Sequence, residues 1–361
     1  MSADPTEAQP AVDLEAAVNT AALPYATSEP SAPIAGEIRV EVEDFRVEEV
    51  PAYLPSGEGD HLFVRFEKRE LDTPEAVRRI ARTLGVDARN AGWAGLKDRR
   101  AVTQQWASFE HADAKGLDDA SIDGVTILEH SRHTNKLRTG HLHGNRFDLL
   151  VRGAGPTSLD PAKQVLGELE TRGLPAYFGP QRFGREGRNL GDAVRWLVQG
   201  GRTPQKRFRR KLLVSSLQSA IFNELLAERV RNGMLESVVE GDLLRKVESG
   251  GLFVSEDLEA DRARAAEFEV SATGPMFGAK MRWPEGKALA REEEALEHWG
   301  LSRESLRAFK KAGSGTRRRY RFKVEGTEAE ASEHGLRLRF TLPAGAYATV
   351  VLRELLRREV R

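Results

Sequence analysis

The chain of 361 residues contains no cysteine, and its 55 Lys and Arg residues are balanced by 55 Asp and Glu residues. The lack of cysteine excludes disulfide scaffolds, thiolate zinc sites, cysteine nucleophiles and iron–sulfur clusters. A net charge of zero excludes a uniformly basic coat, so a site for a polyanion requires local clusters of charge. No apolar run reaches the roughly 18 residues of a membrane span, and no signal peptide is apparent. We therefore expect a cytoplasmic protein without a membrane partner.

Motifs of several enzyme classes are also missing. There is no Walker motif and no G-x-S-x-G elbow, so neither a P-loop nucleotide site nor a serine hydrolase is supported. Two histidine pairs, His130/His133 and His141/His143, have spacings that a metal could use. The surrounding Lys and Arg residues would repel a cation, so we expect no metal site there.

The hydrophobic pattern indicates an α+β fold. Residues 1–36 hold ten Ala, five Pro and five acidic residues but no Lys or Arg, which is typical of a disordered acidic tail. Strand-like alternation follows near 38–47 and 62–66, and returns near 320–342, whereas the middle of the chain is mainly helical in pattern. We predict a discontinuous catalytic domain over 37–175 and 316–361, with a mixed, largely antiparallel sheet and flanking helices. A mostly helical insertion domain over 176–315 would interrupt it.

Basic residues are concentrated in three runs. KRFRRK occupies 206–211, RRRYRFK occupies 317–323, and the segment 130–146 contains no acidic residue. Alternating cations and aromatic rings suit RNA, because cations neutralise phosphates and rings stack on unpaired bases. The alternative for each run is an ordinary solvated helix or strand face.

The stretch Asn90–Ser108, NAGWAGLKDRRAVTQQWAS, surrounds the Asp98 carboxylate with Lys97, Arg99 and Arg100. The small residues Ala94 and Gly95 would allow a close approach of the backbone. One interpretation is a turn with a salt-bridged Asp. The other is a nucleophile or base kept ionised by neighbouring positive charge. Lys97 would point away from Asp98 if the segment is extended.

This stretch resembles the signature of the TruD family of tRNA pseudouridine synthases, Asn-x-x-x-Ala-Gly-x-Lys-Asp-x-x-Ala-x-Thr-x-Gln. Five further blocks are similar to the family in the same order: EDFRVEE at 43–49, NKLRTGHLHGNRF at 135–147, GLPAYFGPQRFG at 173–184, SSLQSAIFNELLAERV at 215–230 and FTLPAGAYATVVLREL at 340–355. The resemblance therefore covers nearly the whole chain after residue 36.

The resemblance implies a pseudouridine-synthase catalytic domain interrupted by a family-specific insertion domain. It also implies isomerisation of uridine 13 in the D arm of tRNA, with Asp98 as the catalytic carboxylate on a flipped-out uridine. The carboxylate could attack the sugar, remove the C2′ proton or attack uracil C6. The substrate would be bound by Phe45, Lys97, Asn145, Phe147 and Phe340.

Several basic residues are expected to contact the RNA backbone: Lys136, Arg138, Arg182, Lys206, Arg207, Arg209, Arg210, Arg318 and Arg319. Because the reaction neither gains nor loses atoms, we expect no cofactor. The expected partner is tRNA, and the expected state is a monomer. Two other functions remain open: an RNA-binding or RNA-folding factor that does not need Asp98, and a nucleoside glycosidase that would release free uracil.

Overall fold

Eight α-helices and fourteen strands occur in residues 12–360, which are the residues that this computed structural model describes, apart from the side chains of 310 and 311. The helices are α1 Leu14–Val18, α2 Thr73–Thr83, α3 Leu159–Arg172, α4 Arg188–Leu197, α5 Arg207–Arg231, α6 Leu258–Ala266, α7 Gly286–His298 and α8 Ala348–Leu356. The strands are β1 Phe45–Pro51, β2 His61–Arg69, β3 Gly92–Trp93, β4 Val102–Glu110, β5 Val125–His133, β6 Leu142–Arg152, β7 Leu174–Pro175, β8 Leu243–Lys246, β9 Leu252–Val254, β10 Val270–Met276, β11 Thr316–Arg319, β12 Arg321–Phe322, β13 Glu325–Ser332 and β14 Gly335–Pro343.

The described chain divides into two compact units. The sheet unit consists of Glu29–Glu170 and Val324–Ala348. The helical unit consists of residues 12–28, Thr171–Lys323 and residues 349–360. Each unit is built around its own sheet, and the two are described separately below.

An eight-stranded sheet forms the sheet unit. Its strand order is β13-β14-β6-β1-β4-β2-β5, and β3 pairs with β4. Only β1 and β4 run parallel, and the other neighbours are antiparallel. Parallel neighbours need a crossover connection, and here the chain between β1 and β4 contains β2, α2 and the loop that carries Asp98.

The two faces of this sheet differ in polarity because successive side chains of a strand alternate between faces. On one face Leu62, Val64 and Phe66 of β2 pack against α2, which buries Val77 and Ile80. The other face carries ion pairs between strands, among them Arg65 with Glu48 and Glu129, Arg146 with Glu48, and Arg337 with Asp148. One face is thus apolar, and the other carries ion pairs between neighbouring strands.

Helix α5 forms the centre of the helical unit. Its residues Leu213, Leu217, Ile221 and Leu225, which repeat at four-residue spacing, are all buried as an amphipathic core helix requires. Beside it lies a four-stranded sheet of order β11-β10-β8-β9, and β7 pairs with β12. None of the helices between residues 12 and 360 combines the length and apolar character needed to cross a bilayer.

The predicted α+β class, with a largely antiparallel mixed sheet, is confirmed. The helical unit contains more strand than the sequence pattern indicates, because β10, VSATGPM, includes Gly and Pro and is buried along its whole length. A fully buried strand lacks the alternation that identifies a half-exposed one. Within the part of the chain predicted as mainly helical, Ser305–Ala312 forms a 3₁₀ helix.

The sequence predicts a disordered tail over 1–36, whereas the structure places residues 12–36 and forms α1 within them; residues 1–11 lie outside the described part of the chain. Within the helical unit, the Glu354 carboxylate accepts hydrogen bonds from Ala26 N, Thr27 N and Thr27 Oγ1 at 2.9–3.2 Å. Arg353 donates to the Thr20 carbonyl at 3.1 Å and stacks over Tyr25. Composition indicated disorder, but these polar groups of α8 hold the segment in place.

The compact units also have boundaries of their own. The sequence predicts domain limits at 175/176 and 315/316, whereas the units change at 170/171 and 323/324. Residues 349–360 pack in the helical unit, although the last helix is predicted to belong to the catalytic domain. The reason is the contact of α8 with residues 20–28, which the sequence does not reveal.

Replacing Glu354 by Ala should lower the free energy of unfolding by about 3 kcal/mol, because it leaves the buried N–H groups of Ala26 and Thr27 without their acceptor and removes the carboxylate that pairs with Arg353. Urea unfolding followed by circular dichroism measures the change. Glu354→Gln, which keeps one carbonyl oxygen, should lose less. An unchanged urea midpoint in Glu354→Ala would contradict the assigned role of these contacts.

Candidate active site

The loop between β3 and β4 carries Asp98, and side chains from three elements fix its backbone. Lys97 N donates to Thr73 Oγ1 at 3.0 Å, and Thr73 Oγ1 donates to Gln105 Oε1 at 2.9 Å. Gln105 Nε2 in turn donates to the Gly95 carbonyl at 3.4 Å. Thr73 is therefore a support for this loop, whereas the cap of α2 is Asp72, whose carboxylate accepts from Glu75 N.

A buried ion pair sets the direction of the side chains on the loop. Lys97 Nζ lies 2.5 Å from Glu49 Oε2, and the two side chains are only 5% and 1% exposed. Glu49 Oε1 also accepts a hydrogen bond from Trp106 N at 3.3 Å. Lys97 thus lies in the interior, where charges require partners, and Asp98 is directed outward. The predicted contact of Lys97 with substrate finds no support in this geometry.

The Asp98 side chain is 56% exposed, and its carboxylate pairs with a cation that is far away in the sequence. Arg39 Nη2 donates to Asp98 Oδ2 at 2.9 Å. The backbone carbonyl of Asp98 accepts from Lys68 Nζ at 2.7 Å. One cation therefore contacts the carboxylate of the residue and another fixes its backbone.

Lys68 is fully buried and lies on the same side of β2 as the apolar residues of that strand. Burial lowers the pKa of Lys68 from 10.5 to about 8, while the nearby Asp98 and Asp72 raise it and Lys97 lowers it. The ammonium group consequently changes its charge close to neutral pH. Its position beside Asp98 couples that charge to the site.

Three phenylalanine rings form a cluster next to the loop. Phe147 stacks on Phe340 with centroids 5.4 Å apart, and Phe45 meets Phe147 edge-on at 6.3 Å. The guanidinium of Arg39, which binds Asp98, lies 4.0 Å from the Phe45 ring centroid. The three rings are at most 7% exposed. Asp98 is thus linked through Arg39 to the predicted aromatic residues.

The register of the sheet explains this convergence. Lys68, Thr103, Val47, Phe147 and Phe340 form one row of Cα partners across five strands, so their side chains share a face. The next row holds Glu49 and Asn145. Asn145 and Phe147 lie on one face of β6, as the alternation predicts.

Two polar atoms on this face have no hydrogen-bond partner among the described residues. They are Asn145 Oδ1 and Thr103 Oγ1, both of which are inaccessible to solvent. Buried polar atoms in folded proteins are nearly always paired. Asn145 therefore retains an unused acceptor at a predicted binding position.

The cations adjacent to Asp98 in sequence are not its partners. Arg99 Nε donates to the Glu70 carbonyl and Arg100 Nη2 to the Val40 carbonyl. Sequence reasoning missed the residues that do act on Asp98, which are Arg39 and Lys68. A signal existed for Lys68, since it continues the apolar alternation Leu62, Val64, Phe66. The sequence contains no comparable signal for Arg39.

The close approach of the backbone occurs three residues before the predicted position. A Cβ atom at Gly92 would lie 2.1 Å from the Leu137 carbonyl oxygen, which is impossible without a shift. A Cβ at Gly95 would meet only Lys97 Nζ, at 3.7 Å. Gly92, within β3, is thus the glycine that packing requires.

The residues predicted to contact RNA divide into two groups. Lys136 is half-buried in the sheet unit, and Arg138, Lys206 and Arg207 are exposed. The remaining ones have internal partners: Arg182 with Ser215, Arg209 with Asn189 and Asp192, Arg210 with the Pro204 carbonyl, Arg318 with the Ala176 carbonyl, and Arg319 with the Phe322 ring.

The run at 317–323 is partly internal. Arg317 is buried and pairs with Glu292, with Nη2 and Oε1 2.6 Å apart, and Arg321 donates to the Arg172 carbonyl at 2.8 Å. Burial lowers the pKa of Arg319. These contacts weigh against the predicted phosphate contacts of Arg318 and Arg319.

The histidines of 130–143 have ordinary packing partners. His133 stacks on Tyr53 with centroids 5.1 Å apart, and His141 Nδ1 lies 2.7 Å from the Tyr53 hydroxyl. His130 lies 3.1 Å from Asp118. Within the described ranges, no three His, Asp or Glu side chains are grouped closely enough to bind a metal ion.

Known proteins match this chain over most of its length. The family model described as tRNA pseudouridine synthase D (TruD) matches residues 21–201 and 205–355. A tRNA pseudouridine synthase D of Anaeromyxobacter dehalogenans is 49% identical over 333 residues, covering 90% of this chain and 93% of that protein. One from Thermus thermophilus is 44% identical over 328 residues, covering 90% of each.

A solved structure shows the same fold. The crystal structure of the putative tRNA pseudouridine synthase D from Methanosarcina mazei superimposes with a TM-score of 0.72 at 25% identity, covering 93% of this chain and 96% of that one. With an accessible aspartate in the signature loop, a matching fold and matches along most of its length, the chain belongs to the TruD family of tRNA pseudouridine synthases.

Proposed function

We propose that the chain isomerises uridine 13 in the D arm of tRNA to pseudouridine, and that Asp98 is the catalytic carboxylate. The observation that carries the proposal is the accessible Asp98 carboxylate, held by Arg39 on the same sheet face as Phe45, Phe147 and Phe340. It lies in the stretch that resembles the family signature. The position in tRNA follows from the family resemblance.

The reaction needs little from the protein besides a carboxylate and a positioned base. The N1–C1′ bond of uridine breaks, the uracil turns, and a C5–C1′ bond forms. The C5 proton is released and N1 is protonated, so no electrons enter or leave and no cofactor is called for. A carboxylate near C1′ serves each of the three routes: attack on the sugar, removal of the C2′ proton, or attack on uracil C6.

The uridine must leave its stack to meet Asp98. Asn145 Oδ1, buried and without a partner among the residues described, is available to accept a hydrogen bond from the base or the ribose. The phenylalanine cluster is closed to solvent, so a uracil ring would contact the edge of Phe147 unless the cluster opens. Arg39 and Lys68 would keep the carboxylate oriented.

Replacing Asp98 by Asn should reduce pseudouridine formation by at least about a thousandfold, because the amide is neither nucleophile nor base. Binding of tRNA should stay within about threefold, since backbone contacts dominate affinity. Chemical adduct formation and primer extension on an unmodified tRNA transcript measure the product. Asp119→Asn, on an exposed residue of the same unit, is the control.

The same assay separates the rival functions. Full activity of Asp98→Asn would refute the catalytic role of this carboxylate. Free uracil detected by chromatography would identify a glycosidase, and tight binding without any product from the intact chain would identify an RNA-binding factor.

Replacing Arg39 by Ala should lower kcat about 10- to 100-fold, because it removes a hydrogen bond to the charged carboxylate and the packing on Phe45. Arg39→Lys keeps the charge and should recover part of the loss. Single-turnover kinetics with saturating enzyme measure the rate of the isomerisation step. In the Asp98→Asn background the further effect of Arg39→Ala should vanish, and a full additional loss there would show that Arg39 acts elsewhere.

The rate should fall as pH rises through about 8, where Lys68 loses its proton. The charge-assisted hydrogen bond to the Asp98 carbonyl then becomes a neutral one, which we expect to cost about fivefold in kcat, or roughly 1 kcal/mol. Lys68→Met should remove this limb of the pH profile. Lys115→Met, on an exposed residue, should keep it.

The free energy of unfolding should change with pH in the direction opposite to the rate. Between about pH 8 and 10.5 the unfolded chain holds the Lys68 proton and the folded chain does not. The contribution of Lys68 to the free energy of unfolding therefore rises with pH across this window. A profile of urea midpoints that is identical in the parent and in Lys68→Met would argue against a shifted Lys68.

A further inference from the structure

The helical unit contains a cavity that the proposed chemistry at Asp98 does not use. It encloses about 860 Å³ and lies between the end of α4, the start of α5 and the 3₁₀ helix Ser305–Ala312. Its apolar lining comes from Trp196, Ala279, Ala308, Phe309 and Ala312. This volume lies within the range of sites for small ligands, and a nucleoside fits within it.

The charged lining of this cavity is entirely positive. Arg207, Arg210 and Lys280 line it, and no acidic residue between 12 and 360 does. In the part of the chain that is described, no carboxylate forms an ion pair with Lys206, Arg207 or Lys280. Arg209, by contrast, is neutralised by Asp192. In a chain of zero net charge, this is a local excess of cations next to apolar surface.

Two aromatic rings belong to the same region. Trp196 is half-buried, and its Nε1 donates to Thr203 Oγ1 at 3.1 Å, which fixes the orientation of the indole. Phe208 is 77% exposed, although it is a large apolar residue, and lies between Arg207 and Arg209 in sequence. A ring exposed to water among cations is unfavourable unless something covers it.

These features together match single-stranded RNA. An unpaired base stacks on an aromatic ring and fills an apolar slot, while its flanking phosphates need cations and tolerate no carboxylates. An acidic polypeptide would also be attracted to the cations, but it supplies a flat group for the Trp196 slot only where it carries an aromatic residue, whereas every nucleotide carries a base.

We propose that this cavity binds one unpaired nucleotide of the RNA substrate, with the base against Trp196 and the adjacent phosphates on Arg207 and Lys280. The site is separate from the Asp98 site and belongs to the helical unit. The inference rests on the proposed function in one respect, that the substrate is tRNA.

The test measures binding of an unmodified tRNA transcript to variants made in the Asp98→Asn background, by filter binding at several salt concentrations. Trp196→Ala should weaken binding about tenfold, and Trp196→Phe, which keeps a ring, should stay within about threefold of the parent. Ala308→Trp fills the slot from an exposed position without removing a cation, and should also weaken binding about tenfold.

Charge is tested separately. The slope of log affinity against log salt is negative, and Arg207→Ala should make it less steep by about 0.7, the value for one phosphate contact in a single strand. Lys287→Ala is the matched control, because Lys287 is an exposed cation of the same unit that pairs with Glu240. It should leave both affinity and slope unchanged. Circular dichroism and thermal melting confirm that each variant is folded.

Parental affinity in both Trp196→Ala and Ala308→Trp would overturn the proposal, as would a Trp196-dependent affinity for poly-glutamate with unchanged affinity for tRNA. Pseudouridine formation by the corresponding variants with an intact Asp98 separates this inference from the proposed function. If the intact chain forms pseudouridine and the cavity variants bind tRNA as the parent does, the cavity proposal is refuted and the proposed function stands. Trp196-dependent binding without product from the intact chain refutes the isomerase and leaves the cavity as an RNA site.

Discussion

The arrangement of the candidate active site depends on the buried ion pair between Lys97 and Glu49. A charge in the interior requires a partner. Glu49, on the same side of β1 as Phe45 and Val47, is the partner of Lys97. Lys97 is 5% exposed in this pair, whereas the side chain of the next residue, Asp98, is 56% exposed. The pair therefore fixes the loop beside a residue that it does not contact.

Other polar groups, from α2, β2, β4 and the segment before β1, contact the same loop. Thr73 and Gln105 hold its backbone, Lys68 binds the Asp98 carbonyl, and Arg39 connects the carboxylate to the Phe45 ring. Each of these groups is a polar residue within or beside an apolar environment, where a hydrogen bond is stronger and its loss more costly than in water. The spacing of the signature stretch thus has a physical reason, since Lys97, Asp98 and Gln105 have distinct roles in one network.

The two compact units differ in how they use arginine. In the sheet unit, arginines on the charged face pair with carboxylates of neighbouring strands. In the helical unit, several arginines of the basic runs are internal and bind backbone carbonyls or aromatic rings, as Arg318 and Arg321 do. A basic run in a sequence is therefore poor evidence for a phosphate site unless its cations lack carboxylate partners, as Arg207 does among the residues that the structure describes.

Periodicity and local motifs are sufficient to predict the α+β class, the main helices and strands, and the shared face of Asn145 and Phe147. Tertiary contacts alone establish which cation contacts Asp98, that Lys97 faces inward, and that residues 20–28 pack on α8. These contacts join residues that lie 48 to 328 positions apart in the chain. Local patterns contain no information on such pairings, which arise when the strands align and each buried charge takes the partner within reach.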